Sequence, residues 1–360
     1  MACAILRPMR RLSILPFLAL FCLACSREVS AQREFVLGTV CSVNLFEAGT
    51  RAEYDAIFAE LHRIQAVMAF TPASSGAEDQ EATALDLINK NAGIRPVRAP
   101  EELLDVLERA RYYAELSGGA FDPTVGPLVR LWGIGGESPR VPAAAEIQEA
   151  LSLVDWRDLV IDRAAGTAFL RRPGQSLDLG AIAKGYAADR AAALLRDKSP
   201  GEFRLPGKRR AIIDLGGNIF ALGERAGWKN WRIGIQDPLR ERGNYLGVLE
   251  VKDKSVVTSG VYERAFEEGG RRYHHILSTT DGYPVWNGLL SVTIIADRSI
   301  DADTLSTAVF ALGPGKGLAL VEILPDTEAI FVLEDRTVIL SSAAPFKLLK
   351  DGDYRLASRP

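Results

Sequence analysis

The segment that most constrains the fold of this chain is Asp-Ala-Asp-Thr-Leu-Ser-Thr-Ala-Val-Phe-Ala-Leu-Gly, residues 301–313. It follows an apolar run at residues 289–296, which predicts a strand. Gly313 and the Pro314 that follows it are typical of a helix end. Four apolar residues of the segment recur at the spacing of one helix face: Leu305, Ala308, Val309 and Leu312. We therefore expect a strand and then a core-facing helix.

Two polar residues of this segment fall on the other face of the predicted helix. Asp303 and Thr307 are four positions apart, so a carboxylate and a hydroxyl lie one turn from each other. Such a pair can hold one hard cation, which prefers oxygen ligands. The alternative is structural: Asp301 or Asp303 caps the helix and Thr307 is only a surface residue. The segment alone leaves both interpretations open.

The N-terminus has the features of an export signal. Three arginines precede an apolar run from Leu12 to Ala24, which is too short to span a bilayer comfortably. We predict a signal peptide at residues 1–24, with Cys25 as the acylated first residue of a lipoprotein and residues 25–34 as its tether. Simple secretion is the alternative, because Cys22 stands where leucine is usual.

Charge and cysteine content limit the partners of the mature chain. Removing residues 1–24 takes away three arginines and no acid, which leaves 40 basic against 46 acidic side chains. A net charge of about −6 argues against a nucleic-acid partner. Only Cys25 and Cys41 remain, so a lipidated Cys25 leaves Cys41 without a disulfide partner. The exported protein must then depend on its hydrophobic core for stability.

Hydrophobic periodicity and turn residues predict a mixture of helices and strands. Helices are expected at residues 51–70, 81–90, 100–118, 142–153, 183–197 and after Pro314. Strands are expected at 34–47, 177–179, 329–334 and 337–342, as hairpins at 158–172 and 211–223, and through 229–260. Residues 71–80 and 121–137 are expected to be loops. No linker separates these segments, so we predict one α+β domain at 35–345 and a C-terminal tail at 346–360.

Three interruptions of these elements carry polar residues with more than one interpretation. The join of strand, Gly180 and helix places Lys184 beside free N–H groups, which suits a phosphate but lacks the glycine spacing of a nucleotide triphosphatase loop. Asn218 follows two glycines and is either a turn residue or a ligand contact. His274 and His275 point to opposite sides if they lie in a strand, so one at most faces a shared site.

Taken together, these interruptions resemble the ApbE family of FAD:protein FMN transferases. The resemblance covers residues 34 to 342. The segments that carry it are Leu37-Gly38-Thr39, 121–133, 177–189, Asp-Leu-Gly-Gly-Asn at 214–218, Thr-Ser-Gly at 258–260, His275, Gly-Tyr-Pro at 282–284, and 301–313. It implies an exported enzyme that cuts the pyrophosphate of FAD with Mg²⁺. FMN passes to a threonine hydroxyl of another protein through a phosphoester bond, and AMP is released.

The resemblance also implies roles for individual residues. The metal ligands are the Asp303 carboxylate, the Thr307 hydroxyl and the Ala181 carbonyl. Lys184 and Asp303 assist catalysis, and His275 lies near the diphosphate or ribose. The chemistry of histidine makes His275 the candidate base, with Asp281 as a second candidate for that role. The residues implied in FAD binding are Leu37, Phe70, Phe121, Asp122, Thr124, Asp178, Lys184, Asn218, His275 and Ile276.

The chemistry of these residues agrees with the implied reaction. An oxygen-only ligand set suits Mg²⁺ rather than Zn²⁺. A hard cation and a lysine neutralise the charge that develops when a pyrophosphate is attacked. The apolar segment 121–133 suits the planar flavin ring, and the ordinary pKa of histidine lies near working pH.

The chain departs from the family pattern on the side where an acceptor would bind. Residues 278–281 are Ser-Thr-Thr-Asp where relatives have Asp-Pro and a threonine, and Phe70 stands where tyrosine is expected. Two alternatives to transfer are an FAD diphosphatase that yields FMN and AMP, and a flavin-binding lipoprotein without turnover. The chain itself lacks the acceptor motif Asp-x-x-Ser/Thr-Gly-Ala-Ser/Thr. Expected partners are therefore separate proteins carrying it, such as subunits of membrane redox complexes, at the periplasmic side of the inner membrane.

Overall fold

The computed structural model describes residues 30–46, 49–69, 82–196, 210–227, 229–349 and 352–357. The predicted signal peptide, Cys25, Phe70 and the loop at 71–80 lie outside these residues.

Seven helices and seventeen strands lie in the described part of the chain. The helices are α1 (Arg51–Met68), α2 (Ala84–Lys90), α3 (Glu101–Leu116), α4 (Gly126–Trp132), α5 (Ala144–Ser152), α6 (Ala183–Arg196) and α7 (Ser299–Glu322). The strands are β1 (Gln32–Val36), β2 (Thr39–Asn44), β3 (Val97–Arg98), β4 (Leu159–Asp162), β5 (Thr167–Leu170), β6 (Ala211–Leu215), β7 (Asn218–Leu222), β8 (Trp231–Gln236), β9 (Tyr245–Val251), β10 (Lys254–Gly260), β11 (Ala265–Glu268), β12 (Arg271–His274), β13 (Leu289–Ala296), β14 (Glu328–Leu333), β15 (Thr337–Leu340), β16 (Phe346–Leu348) and β17 (Arg355–Leu356).

A nine-stranded sheet forms the centre of the fold, in the order β1-β2-β6-β7-β10-β13-β14-β15-β17. Its pairs are antiparallel except β15 with β17. Three smaller sheets have the orders β16-β9-β8, β3-β5-β4 and β11-β12. Antiparallel sheets with helices packed against them confirm the predicted α+β class.

Helix α1 shows how local sequence sets the boundaries of an element. Thr50 accepts a hydrogen bond from the Glu53 N–H, and the Glu53 carboxylate accepts one from the Thr50 N–H, which is a capping box. One face is buried along the whole helix: Tyr54, Ile57, Phe58, Leu61, Ile64 and Met68. The helix predicted at 51–70 is therefore present, and it ends at Met68.

Strand β13 and helix α7 confirm the pairing predicted for residues 289–313. All eight residues of β13 are buried, because it lies in the middle of the large sheet and α7 packs on it. Gly313, at φ 80° and ψ 172°, breaks the helix as predicted, and the helix predicted after Pro314 is present and ends at Glu322. By length and composition alone, α7 is the one described helix apolar enough to cross a membrane. It is nevertheless largely buried against the sheet and α6.

The structure corrects three local predictions. The strand expected at 34–47 is a hairpin of β1 and β2 over residues 32–44, with Leu37 and Gly38 at φ 55° and 68° in its turn. Residues 177–179 are not a strand. The expected loop at 121–137 contains α4, whose Leu128 and Trp132 are four positions apart and both fully buried.

Residues beyond 345 also contribute to the sheets. Strand β16 pairs with β9, and β17 pairs with β15. The buried Tyr354 donates its hydroxyl hydrogen to Asp237 Oδ1 at 2.6 Å. The segment assigned as a C-terminal tail is thus partly packed on the domain.

Candidate active site

The candidate site is built where α6 and α7 approach each other closely. Gly185, in the first turn of α6, lies against the start of α7. A Cβ at this position would be 2.7 Å from Asp303 Cβ and would also overlap the Ser299 carbonyl. Only glycine permits this separation of the two helices. The consequence is that the Asp303 side chain reaches the N-terminus of α6.

Asp303 is held by two groups of α6. Its Oδ2 accepts a hydrogen bond from the Gly185 N–H at 2.8 Å, and its Oδ1 is 3.9 Å from Lys184 Nζ. The same ammonium donates to the Gly180 carbonyl at 2.7 Å. Asp303 is 4% exposed, so this carboxylate is nearly removed from water. The structure therefore brings Asp303 to Lys184 and the glycine turn at 180, although Asp303 lies more than a hundred residues further along the chain.

The expectation that Asp301 or Asp303 caps its own helix is wrong. Helix α7 begins after Arg298, which makes no side-chain cap. Its first two N–H groups, those of Ser299 and Ile300, donate at 2.7 and 3.0 Å to the carboxylate of Asp189 in α6. Asp301 instead accepts a hydrogen bond from Arg109 Nε at 2.7 Å.

Asp189 was not singled out in the sequence as a site residue, although it ends the segment 177–189. Burial raises the pKa of Asp189 to about 6, while its two backbone hydrogen bonds favour the charged form. A signal was present: an acid one turn after Gly185 lies on the same helix face. Its partners were invisible because they lie 110 residues further along the chain.

The remaining members of the predicted metal set fit an oxygen-binding cation. In a regular helix, the Gly185 N–H would donate to the Ala181 carbonyl, but it donates to Asp303. Thr304 donates its hydroxyl hydrogen to the Ile300 carbonyl, whereas the Thr307 hydroxyl makes no hydrogen bond within the described residues. Both predicted neutral ligands thus have uncommitted oxygens. No cluster of three or more His, Cys, Asp or Glu able to hold a metal occurs in the described ranges, and the proposed set needs only one such residue.

Asp178 lies in the same turn as Lys184. Its Oδ1 accepts the Gly180 N–H at 2.8 Å, which shapes the turn before α6. Burial raises the pKa of Asp178, and the nearby charges of Lys184, Arg264 and Arg130 act in the opposite direction. An acid among three cations belongs to an electropositive region that suits a diphosphate.

His275 enters this region from the segment after β12. Its N–H donates to the Arg264 carbonyl at 3.1 Å, and its ring Nδ1 is 3.3 Å from the same oxygen. Burial, with the charge of Arg264 as the next cause, lowers the pKa of His275 to about 3. The imidazole is therefore neutral near pH 7, and Nε2 keeps its lone pair when Nδ1 carries the hydrogen. His274 contacts different groups, since its Nε2 is 2.8 Å from the Val285 carbonyl.

Arg264 is a further residue that sequence reasoning missed. Its Nη2 donates to the Gly38 carbonyl at 3.4 Å, and its side chain also lies against Gly135. It therefore joins the hairpin turn at residues 37–38 to the loop after α4. Its position just before β11 gave no signal, because a single exposed arginine is common on protein surfaces.

The predicted flavin loop is fixed by its own polar residues. Asp122 Oδ1 accepts the N–H and the hydroxyl hydrogen of Thr124 at 2.8 and 2.7 Å, and Oδ2 accepts the Trp156 N–H at 2.9 Å. Burial raises the pKa of Asp122 to about 6. Thr124 Oγ1 in turn accepts the Asp155 N–H at 2.9 Å. Phe121 is buried beside them. These side chains hold the loop, so its backbone is the part left to meet a ligand.

Three other predicted FAD contacts lie at different depths. The Leu37 N–H donates to Gln65 Oε1 at 2.6 Å at the hairpin turn. Ile276 is buried in the main core, and its carbonyl accepts the Val285 N–H at 2.9 Å. Asn218 is 1% exposed and lies under the start of α7, where its Oδ1 accepts the Ser299 hydroxyl hydrogen at 2.6 Å. This position makes Asn218 a support of α7 rather than a surface contact.

A cleft of about 290 Å³ opens between residues 278–287, Ala120 and α7. Thr279 on its wall donates its hydroxyl hydrogen to the Gly119 carbonyl at 2.7 Å. The exposed Asp281 also lines it, which places the second candidate base here. The complete lining is Ala120, Ser278, Thr279, Thr280, Asp281, Pro284, Val285, Trp286, Asn287 and Ala311.

Comparisons with known proteins agree on one family. The profile of the ApbE family matches residues 37–331. A Treponema pallidum protein named FAD:protein FMN transferase is 39% identical over 333 residues, which span 88% of this chain and 87% of the relative. A Klebsiella pneumoniae protein of the same name is 41% identical over 255 residues, which span 71% and 76%.

Solved structures give the same result for the fold. The ApbE protein of Thermotoga maritima is 35% identical, with a TM-score of 0.74 over 87% of this chain and 96% of that one. The flavin transferase ApbE of Vibrio cholerae is 25% identical, with a TM-score of 0.71 over 88% and 95%. The matched range includes Asp178, Lys184 and Asp303.

Proposed function

The chain belongs to the ApbE family, and from this premise we propose that it transfers FMN from FAD to a threonine hydroxyl of an acceptor protein. In this reaction the acceptor oxygen forms a bond to the FMN phosphorus. The bond from that phosphorus to the bridging oxygen breaks, and AMP leaves. The names of the relatives support transfer over hydrolysis and over flavin binding without turnover.

The observation that carries the proposal is the meeting of Asp303 with the start of α6. One carboxylate oxygen of Asp303, Oδ1, is 3.9 Å from Lys184 Nζ, and the other takes the Gly185 N–H that a regular helix would give to the Ala181 carbonyl. Asp303, Thr307 and Ala181 would hold Mg²⁺, which stabilises charge on the phosphate oxygens when bound. Lys184 would bind the diphosphate as a point charge, and the N-terminus of α6 favours the same anion.

His275 is the proposed base. With Nδ1 directed to the Arg264 carbonyl, Nε2 is the atom that would take the proton of the acceptor hydroxyl. The low pKa of His275 reflects burial and the charges of Arg264 and Lys184. A bound diphosphate offsets those charges, and this raises the proton affinity of the ring when the substrate is in place.

We also propose that the protein is a lipoprotein at the periplasmic side of the inner membrane, attached through Cys25. The support is the sequence of the first 25 residues, with its arginines, short apolar run and cysteine. Labelled fatty acid should enter the wild-type protein and not a Cys25→Ala variant. Equal labelling of both would refute the attachment.

The central experiment is mass spectrometry of the purified protein incubated with FAD and Mg²⁺, with and without a peptide bearing Asp-x-x-Ser/Thr-Gly-Ala-Ser/Thr. Transfer predicts a peptide carrying FMN and an equal amount of AMP. Free FMN and AMP in both samples would identify a diphosphatase instead. Intact FAD in both would leave only binding.

A further inference from the structure

We infer that Asp189 is a positioning residue, which places Asp303 by holding the start of α7 against α6. The inference deepens the proposed function, since Asp303 is its central carboxylate. Asp189 acts through the two hydrogen bonds that its carboxylate accepts from the backbone N–H groups of Ser299 and Ile300.

Each of the two helices carries a carboxylate that binds the N-terminus of the other helix. A side chain of α7, Asp303, accepts an N–H from the first turn of α6, and a side chain of α6, Asp189, accepts two N–H groups from the first turn of α7. Each acid is therefore the partner of the other helix's N-terminus, where the helix dipole favours a negative charge.

The spacing of these residues attaches the two helices to each other at two points. Gly185 and Asp189 are four residues apart on α6, and Ser299 and Asp303 are four residues apart on α7. Four residues advance a helix by about 6 Å, so the two sets of bonds lie one turn apart on matching faces. Two points one turn apart fix both the separation of the helices and their relative rotation.

The sheet constrains α7 from another side. The Ser299 hydroxyl donates to Asn218 Oδ1 at 2.6 Å and accepts from the Ser255 hydroxyl at 2.8 Å. Three residues after Asp303, Ser306 Oγ is 2.8 Å from Ser259 Oγ on the sheet. These bonds keep α7 on the sheet when Asp189 is lost, but they do not join it to α6. We therefore expect an Asp189 variant to fold and to misplace Asp303.

Hydrogen exchange at Gly185 measures this directly and without turnover. The Gly185 N–H is protected by Asp303 Oδ2, so it reports the position of Asp303. In Asp189→Ala, we expect exchange in a peptide spanning residues 182–187 to accelerate about tenfold. A cap with no further role would expose only the amides of Ser299 and Ile300. The Asp189→Asn variant keeps one acceptor oxygen, so its exchange rate in this peptide should lie between those of the wild type and Asp189→Ala.

The matched control is Asp237→Ala. Like Asp189, Asp237 accepts two hydrogen bonds, from the Tyr354 hydroxyl and the Leu239 N–H, but it lies in neither helix. Its loss should leave Gly185 exchange unchanged. Unchanged exchange at Gly185 in both Asp189 variants would overturn the inference. So would equal acceleration in Asp237→Ala, because that would indicate general loosening.

A second measurement links the position to function. The Mg²⁺ concentration that half-saturates FAD cleavage should rise about tenfold in Asp189→Ala and stay at the wild-type value in Asp237→Ala. A wild-type Mg²⁺ requirement in the Asp189 variant would refute the inference. If the wild-type protein itself leaves FAD intact, the proposed function fails, while the exchange experiment still decides the role of Asp189.

Discussion

Replacing Asp303 by alanine removes the one carboxylate of the proposed metal set. Without it the proposed set would offer a cation only two neutral ligands, and Lys184 loses the carboxylate 3.9 Å from its Nζ. We expect FAD cleavage to fall by about a hundredfold or more, the range seen when one group that stabilises transition-state charge is removed. The assay is AMP release from FAD in the presence of Mg²⁺.

The same variant should remain folded, because α7 keeps its hydrogen bonds to the sheet. The hydroxyls of Ser299 and Ser306 keep their hydrogen bonds to Asn218 and Ser259, so the variant loses only the bond to the Gly185 N–H. The loss of stability is then about 1 kcal/mol, or a few degrees in melting temperature.

Asp301→Ala is the control for this prediction. It lies in the same turn of α7 and loses the 2.7 Å hydrogen bond from Arg109, so its cost in stability is similar. The side-chain hydrogen bond of Asp301 is to Arg109 of α3 and not to α6, so we expect wild-type cleavage. A folded Asp303→Ala protein that releases AMP at the wild-type rate would refute the metal assignment. Equal loss of activity in the Asp301 variant would show that helix destabilisation is the cause.

Three further predictions test the surroundings of Asp303. Lys184→Ala should weaken FAD binding, measured by quenching of flavin fluorescence, and more strongly at low salt because the contact is ionic; equal affinity at every salt concentration would contradict it. Gly185→Ala should slow AMP release as Asp303→Ala does while keeping every ionisable group, because its Cβ forces α6 and α7 apart; wild-type activity would show that the helices separate harmlessly. The pKa of His275 is lowered to about 3, so between pH 6.5 and 3 the unfolded chain binds a proton that the folded protein does not. Stability is thus lost as pH falls below about 6.5, and thermal melts should show His275→Asn gaining on wild type from pH 7 to pH 5; a constant difference would refute the burial of this ring.

The sequence predicts helices and strands best where a single hydrophobic periodicity distinguishes one from the other. The apolar repeat of α1 and the eight-residue run of β13 were sufficient, and the break at Gly313 follows from its neighbour Pro314. It failed at residues 37–38, because the strand pattern continues through a turn whose only mark is one glycine. It also failed at the cap of α7. A cap is normally a local residue, whereas Asp189 acts from 110 positions away.

The composition of α7 explains why its position is unique. A helix with this many apolar residues could slide on a sheet, since apolar contacts are not directional. Yet Ser299, Asp303, Thr304 and Ser306 are buried, and each makes a hydrogen bond. Ser299 and Ser306 find their partners on the sheet, while Asp303 finds its partner on α6. A shift by one turn would leave several of these groups unpaired, at about 1–3 kcal/mol for each. The apolar face thus supplies the attraction, and the buried polar residues select the single register that brings Asp303 to Lys184.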